Sequence, residues 1–160
     1  MDFSDSSSQD CPDTGRSTGA YIIFYKGGSI DHGTHFPGPV AQSSAESDYN
    51  AAYTAGMDLA YFRMLINELL NKDPDIVPEE APLIVLDSKS AMCMAKNSKY
   101  NKHTRHIARR MYFVRDGEKF KMHKIDWCEG GLQLVYIGTK NVSEPDITPR
   151  VKYIMVRLEN

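Results

Sequence analysis

Three acidic residues of this chain stand at points where one element should give way to another. Asp5 closes a short N-terminal run, Glu46 opens a long helical pattern behind Ser43-Ser44-Ala45, and Asp87 ends the apolar run Leu83-Ile84-Val85-Leu86. A carboxylate at a strand end or a helix start can project from a sheet without being buried. Three that converge make a hard-oxygen cage for Mg²⁺ or Mn²⁺. Two such ions, held about 3.5–4 Å apart, support hydrolysis of phosphodiesters. Each acid also has a plainer reading. Glu46 lies three residues after Ser43, as in a capping box. Asp87 suits the N-cap of a following helix, and Asp5 suits a turn.

The surrounding pattern supplies elements to carry these acids. Ala20 to Tyr25 is β-branched and aromatic and reads as a strand, followed by a Gly27-Gly28 turn and a short strand Ser29-Ile30-Asp31. His32 to Pro39 reads as a loop. From Ser43 to about Leu70, the residues Ala51, Ala52, Ala55, Leu59, Ala60, Met64, Leu65 and Leu69 recur at helical spacing. An acidic, proline-bearing linker then leads to a strand over Pro82–Asp87 and a short helix from Ser90 to about Asn97. His103 to Asp116 reads as a basic helix with Ile107, Met111 and Val114 inward. Phe120 to Trp127 alternates as a strand, and Pro149 to Leu158 reads as a closing helix with Val151, Ile154, Met155 and Leu158 inward. A hairpin followed by alternating helices and strands implies an α/β fold, with a mixed sheet and helices on its faces.

With 160 residues, 41% hydrophobic and 25% charged, the chain reads as one globular domain. The net charge of -2 conceals an asymmetry. Ten Lys and Arg residues between Lys96 and Lys124 face only Asp116 and Glu118 in the sequence, which points to one basic face suited to a nucleic-acid backbone. Lys102, His103, Arg105, His106, Arg109 and Arg110 are the candidates for that contact, although a basic run can equally be a solvated helix face. Cys11, Cys93 and Cys128 form no paired motif, which argues against a disulfide framework or a zinc ribbon. The histidine pairs His103/His106 and His32/His35 lack a second ligand pair, so zinc is not expected. Trp127 reads as core or sheet edge, with base stacking as the other option. The N-terminus shows no secretory signal and no apolar run reaches membrane-spanning length, so an intracellular setting without a membrane is expected.

Five stretches, taken in order, resemble the ribonuclease H domain of copia-type retrotransposon Pol polyproteins. They are Phe3-Ser4-Asp5 with the Cys11-Pro12-Asp13 loop and Arg16-Ser17-Thr18-Gly19-Ala20-Tyr21; Ser43-Ser44-Ala45-Glu46-Ser47-Asp48-Tyr49; Asp87-Ser88-Lys89-Ser90-Ala91; His103-Thr104-Arg105-His106-Ile107; and Leu134-Val135-Tyr136-Ile137-Gly138-Thr139-Lys140. The family writes the second as Ser-Ser-Thr-Glu-Ala-Glu-Tyr and the last as Leu-Ala-Asp-Ile-Phe-Thr-Lys. The resemblance implies a ribonuclease H-like fold, with a mixed five-stranded sheet and helices on both faces, whose first strand is cut short at the N-terminus. It implies Asp5, Glu46 and Asp87 as catalytic, metal-binding carboxylates, two Mg²⁺ or Mn²⁺ ions, an RNA/DNA hybrid as substrate and a reverse transcriptase domain in the parent polyprotein. The fourth family carboxylate falls on Tyr136. A phenol is neutral at pH 7 and adds no charge to a cation cage. Weak or absent hydrolysis of the RNA strand is therefore expected. The rival reading is a non-catalytic remnant or recruited module that binds nucleic acid or protein through the same fold.

Overall fold

The first strand of this protein is polar, so its place in the fold is set by backbone pairing rather than by an apolar pattern. In the computed structural model, which describes residues 1–35, 40–73, 80–97 and 102–155, β1 spans Asp2–Ser6 and lies at the centre of a five-stranded sheet. It pairs antiparallel with β2 (Gly19–Tyr25) and parallel with β4 (Leu83–Leu86). The outer strands are β3 (Gly28–His35) and β5 (Lys124–Trp127), giving the order β3-β2-β1-β4-β5. β4 and β5 run parallel, so the sheet is mixed.

The β2–β3 turn places Lys26 and Gly27 at φ of 49° and 85°, both left-handed, and glycine accommodates the second at no steric cost. β3 runs to His35, well past the predicted end at Asp31. Its ladder continues with Gly33 opposite Tyr21 and His35 opposite Gly19. Strand pairing extends this edge where the sequence, with its glycine and histidines, offered no apolar alternation.

α1 (Ser44–Leu69) crosses one face of the sheet. The Ser43 hydroxyl caps it by accepting from the Glu46 N–H at 3.2 Å. Ala51, Ala52 and Ala55 are fully buried, and their small side chains let the helix lie close on β1 and β2. Met64 and Leu69, expected inward, are largely exposed because the stripe leaves the sheet in the later turns. α2 (Lys89–Lys96) and α3 (Ala108–Lys119) flank α1, and Ile107, Met111 and Val114 are buried as expected. A 3₁₀ segment over Lys102–Ile107 precedes α3. β5 is shorter than expected, because α3 continues to Lys119 and the Met122 N–H folds back onto the Gly117 carbonyl at 2.8 Å.

The other face carries a smaller core of Ala20, Ile22 and Val135, with Phe3, Phe24 and Ile154 packed against it. α4 (Tyr136–Thr139) sits on β2, where a Cβ on Gly138 would come within 3.0 Å of the Ala20 Cβ. α5 spans Glu144–Ile154, starting earlier than predicted because Pro145 fits the first helical turn. None of its residues is fully buried. Val151 and Met155 are exposed and Ile154 alone reaches the small core, while Leu158 lies outside the described residues. Among the described residues, no helix is long and apolar enough to cross a membrane.

Candidate metal centre

The pairing of β1 with β4 brings Asp5 and Asp87 to neighbouring parallel strand ends. The second turn of α1 supplies the third acid. Side-chain oxygens of Asp5, Asp48 and Asp87 all lie within 4.8 Å of one another, the one such metal-capable group among the described residues. Two of these acids are the ones the sequence pointed to. The third is not.

Glu46 belongs elsewhere, and this corrects the expected ligand set. Its carboxylate meets His106 Nε2 at 2.8 Å through Oε1 and accepts the Gln42 N–H at 3.2 Å through Oε2. A helix turns about 100° per residue, so positions two apart point to nearly opposite sides. Glu46 faces the segment that leads into α3, and Asp48 faces the strand ends. The signal was in the sequence. The family motif carries two glutamates, and Asp48 matches the second.

The cluster is held by short polar contacts. Ser6 Oγ donates to Asp48 Oδ1 at 2.6 Å, and the Thr139 hydroxyl donates to Asp5 Oδ2. Trp127 Nε1 donates to the Asp87 carbonyl at 2.8 Å, while the Lys89 ammonium lies 4.3 Å from the centre of the Trp127 ring. Asp5 is only 2% exposed. Burial pushes its carboxyl up to about 6, the Thr139 hydrogen bond and Lys140 oppose this, and Asp87 and Asp48 add to it. Burial likewise raises Asp48, against hydrogen bonds from Ser6 and Ser88. The Cys128 thiol is pushed up to about 11 by burial and by Asp87 and Asp5. Crowded, desolvated carboxylates of this kind are what a divalent cation relieves, and an all-oxygen donor set suits Mg²⁺ or Mn²⁺. The residues present fit such an ion.

Tyr136 opens α4 beside the cluster and brings no carboxylate to it. Its ring instead lies 4.1 Å from the Lys140 ammonium and 5.3 Å from the Arg150 guanidinium. Lys140 Nζ approaches Asp5 Oδ2 at 3.9 Å. Thr139 and Lys140 match the Thr-Lys that closes the family motif, but nothing in the sequence shows that they contact Asp5.

The basic candidates divide. Arg105 and Arg109 are exposed. His106 is tied to Glu46, and Arg110 donates to Asn50 Oδ1 at 2.6 Å with its guanidinium 5.6 Å from the Tyr53 ring centre. The side chains of Lys102 and His103 lie outside the described residues.

No family model matches the chain. It is 30% identical over 120 residues, 73% of its length, to the retrovirus-related Pol polyprotein from transposon TNT 1-94 of Nicotiana tabacum. The match spans only 9% of that polyprotein. Solved structures with a similar fold include ribonuclease H1 from Halobacterium salinarum, at a TM-score of 0.54 and 12% identity over 82% of this chain and 86% of that one. LC11-RNase H1 in complex with an RNA/DNA hybrid gives 0.57 and 10% over 82% and 86%. The N-terminal RNase H domain of a Mycobacterium tuberculosis protein gives 0.56 and 8% over 94% and 96%. Likeness in sequence to a transposon Pol polyprotein and in fold to ribonucleases H makes this chain a ribonuclease H-like domain of the retrotransposon Pol family.

Proposed function

We propose that this domain is a divalent-metal-dependent nuclease acting on the RNA strand of RNA/DNA hybrids, weakened by the loss of a carboxylate at Tyr136. The observation that carries this reading is the convergence of Asp5, Asp48 and Asp87 at the strand ends. These three residues would hold the ion. When bound, a divalent cation supplies an activated water and neutralises charge at phosphorus.

The chain's own residues do the rest. Ser6 and Thr139 orient Asp48 and Asp5 through hydrogen bonds, so the carboxylates present fixed oxygens. The Trp127 N–H pins the backbone at Asp87. Exposed Arg105 and Arg109 offer positive charge to a phosphodiester backbone, a contact that positions without reading sequence. A hybrid is told from duplex DNA by the 2′-hydroxyl displayed in its minor groove. The hybrid complex of LC11-RNase H1 supports this substrate class by analogy of fold.

The test is cleavage of an end-labelled RNA/DNA hybrid in Mg²⁺ or Mn²⁺. The parent chain cuts slowly, Asp48→Asn abolishes cutting, and Tyr136→Asp accelerates it. Equal rates for the parent and Tyr136→Asp refute the weakening, and undiminished cutting by Asp48→Asn refutes the site. The positive charge of Lys140 beside Asp5 favours a second reading, a binding module without catalysis. That reading holds if the chain binds hybrid but neither cuts it nor gains thermal stability from Mn²⁺.

A further inference from the structure

On the β5 side of the cluster, the chain puts a cation where a helix start disfavours one. Lys89 opens α2, whose first turn holds no acidic residue. The free amide groups of a helix start carry partial positive charge, so an ammonium there is repelled. Lys89 is exposed and, among the described residues, forms no ion pair. What steadies it is the Trp127 ring, whose centre lies 4.3 Å from the ammonium. Trp127 is in turn tied to the site. It closes β5 opposite Leu86, and its Nε1–H donates to the Asp87 carbonyl at 2.8 Å. The residue is 37% exposed, so the pair meets water beside Asp87. A Cβ on Gly130 would lie 3.6 Å from Asp87 Oδ2, and one on Gly131 would meet open space. With glycine at both places, this turn puts no side chain there.

We propose that Lys89, steadied on Trp127, binds a phosphate of the RNA strand next to the one held at the metal cluster. This contact rests on the nuclease reading above for the strand it names, and adds a substrate group to it. The helix start and the ammonium repel each other in the free protein, and both attract a phosphate set between them. A cation in the cluster would neutralise the nearby carboxylates and remove their pull on the ammonium, which leaves phosphate as its partner. Lys89 lies two residues from Asp87, so the phosphate it reaches is a close neighbour of the one at the cluster. An ammonium is a point charge, and its contact positions the strand without reading sequence. Trp127 is a positioning residue. It holds the ammonium on the Asp87 side and reduces the entropy lost when a long side chain is ordered by substrate.

The test measures RNA/DNA hybrid binding by fluorescence anisotropy in Ca²⁺ over a range of salt, for the parent chain, Lys89→Gln, Lys89→Arg, Trp127→Leu and Trp127→Phe. A set of hybrids, each with one uncharged methylphosphonate linkage in the RNA strand, locates the contact. Lys89 is exposed, so its variants keep the fold, and far-ultraviolet circular dichroism verifies this for all five chains. Lys89→Gln should weaken binding roughly three- to tenfold and flatten the slope of log K against log salt by about one, and Lys89→Arg should restore both. Trp127→Leu should weaken binding, and Trp127→Phe, which keeps a ring under the ammonium, should restore it. One linkage, adjacent to the position cut in Mg²⁺, should cost the parent as much as Lys89→Gln does and cost Lys89→Gln nothing further. An unchanged slope in Lys89→Gln, a methylphosphonate penalty that adds in full at every linkage, or a coupled linkage remote from the cut overturns the contact while leaving the nuclease reading in place. Coupling at one linkage in a protein that never cuts refutes the nuclease reading and keeps the contact, and failure to bind hybrid at all overturns both.

Discussion

Replacing Asp5 by Asn should stabilise the ion-free protein at alkaline pH and leave it unchanged in acid. The Asp5 carboxyl is pushed up to about 6 from an ordinary value of 3.8, with burial as the largest cause. The native state therefore holds this proton more tightly than the unfolded chain. Below about pH 4 both states are protonated and the penalty is absent. As pH rises through about 6 the native carboxyl must ionise in a desolvated site, and stability is lost. The interval of about two pH units corresponds to about 3 kcal/mol. Asparagine keeps an oxygen to accept from Thr139 and carries no charge, so it escapes the penalty. Lys140 loses a partner, but at 3.9 Å the contact is long and its side chain, 37% exposed, still reaches water, so it gives up less than about 1 kcal/mol. For a chain of this size the net gain corresponds to a rise in Tm on the order of 5–10 °C. The assay is thermal unfolding of parent and Asp5→Asn at pH 4 and pH 8 in the presence of a chelator. His35 and His123, both held below their ordinary values by burial, lose stability in the opposite sense as pH falls. They titrate alike in both proteins and cancel in the difference. An Asp5→Asn variant that melts at or below the parent temperature at pH 8, or that gains equally at both pH values, refutes the reasoning.

Asp48→Asn should lower Mn²⁺ affinity on the order of tenfold or more, whereas Glu46→Gln should leave it unchanged; titration calorimetry distinguishes them, and the reverse order would return Glu46 to the ligand set. Gly117→Ala would place a Cβ 2.0 Å from Cε1 of the buried His123 ring, so urea unfolding should register a loss of about 2 kcal/mol or more. Replacing Arg105 and Arg109 together by Ala should reduce the salt dependence of hybrid binding, flattening the slope of log K against log salt by about one to two in fluorescence anisotropy. A slope unchanged in that double variant would move the nucleic-acid face elsewhere.

The sequence made some of this legible and hid the rest for identifiable reasons. Asp5 and Asp87 could be found because the residues just beyond each strand end mark it, a serine run in one case and a capped helix in the other. Convergence of the two depends on the parallel pairing of β1 with β4, which no local pattern announces. The error over Glu46 was one of helical phase. The capping serine and the glutamate three residues on drew attention to the right turn of helix but the wrong side of it. Glu46 does take part at the helix start, through the Gln42 N–H, and its second oxygen binds His106, a residue that charge alone had assigned to nucleic acid. Hydrophobic periodicity located α1 closely and found the inward face of α3, though α3 begins five residues later than expected, after a 3₁₀ segment. It failed for β3 and α5, which lie at the periphery and bury little.

β1 has a consequence beyond the metal centre. At the end of the strand away from the acids, Asp2 is wholly enclosed with no well-formed hydrogen bond to either carboxylate oxygen, and burial lifts its carboxyl well above the ordinary range against the pull of the N-terminal ammonium and the Phe3 N–H. The Ser4 hydroxyl is enclosed and unpartnered as well. Groups of this kind weaken a fold, and apolar side chains of similar size strengthen it. The middle of the sheet is thus an untapped reserve: valine in place of Asp2 and alanine in place of Ser4 would harden the protein from within, on the very strand that carries Asp5 to the cluster.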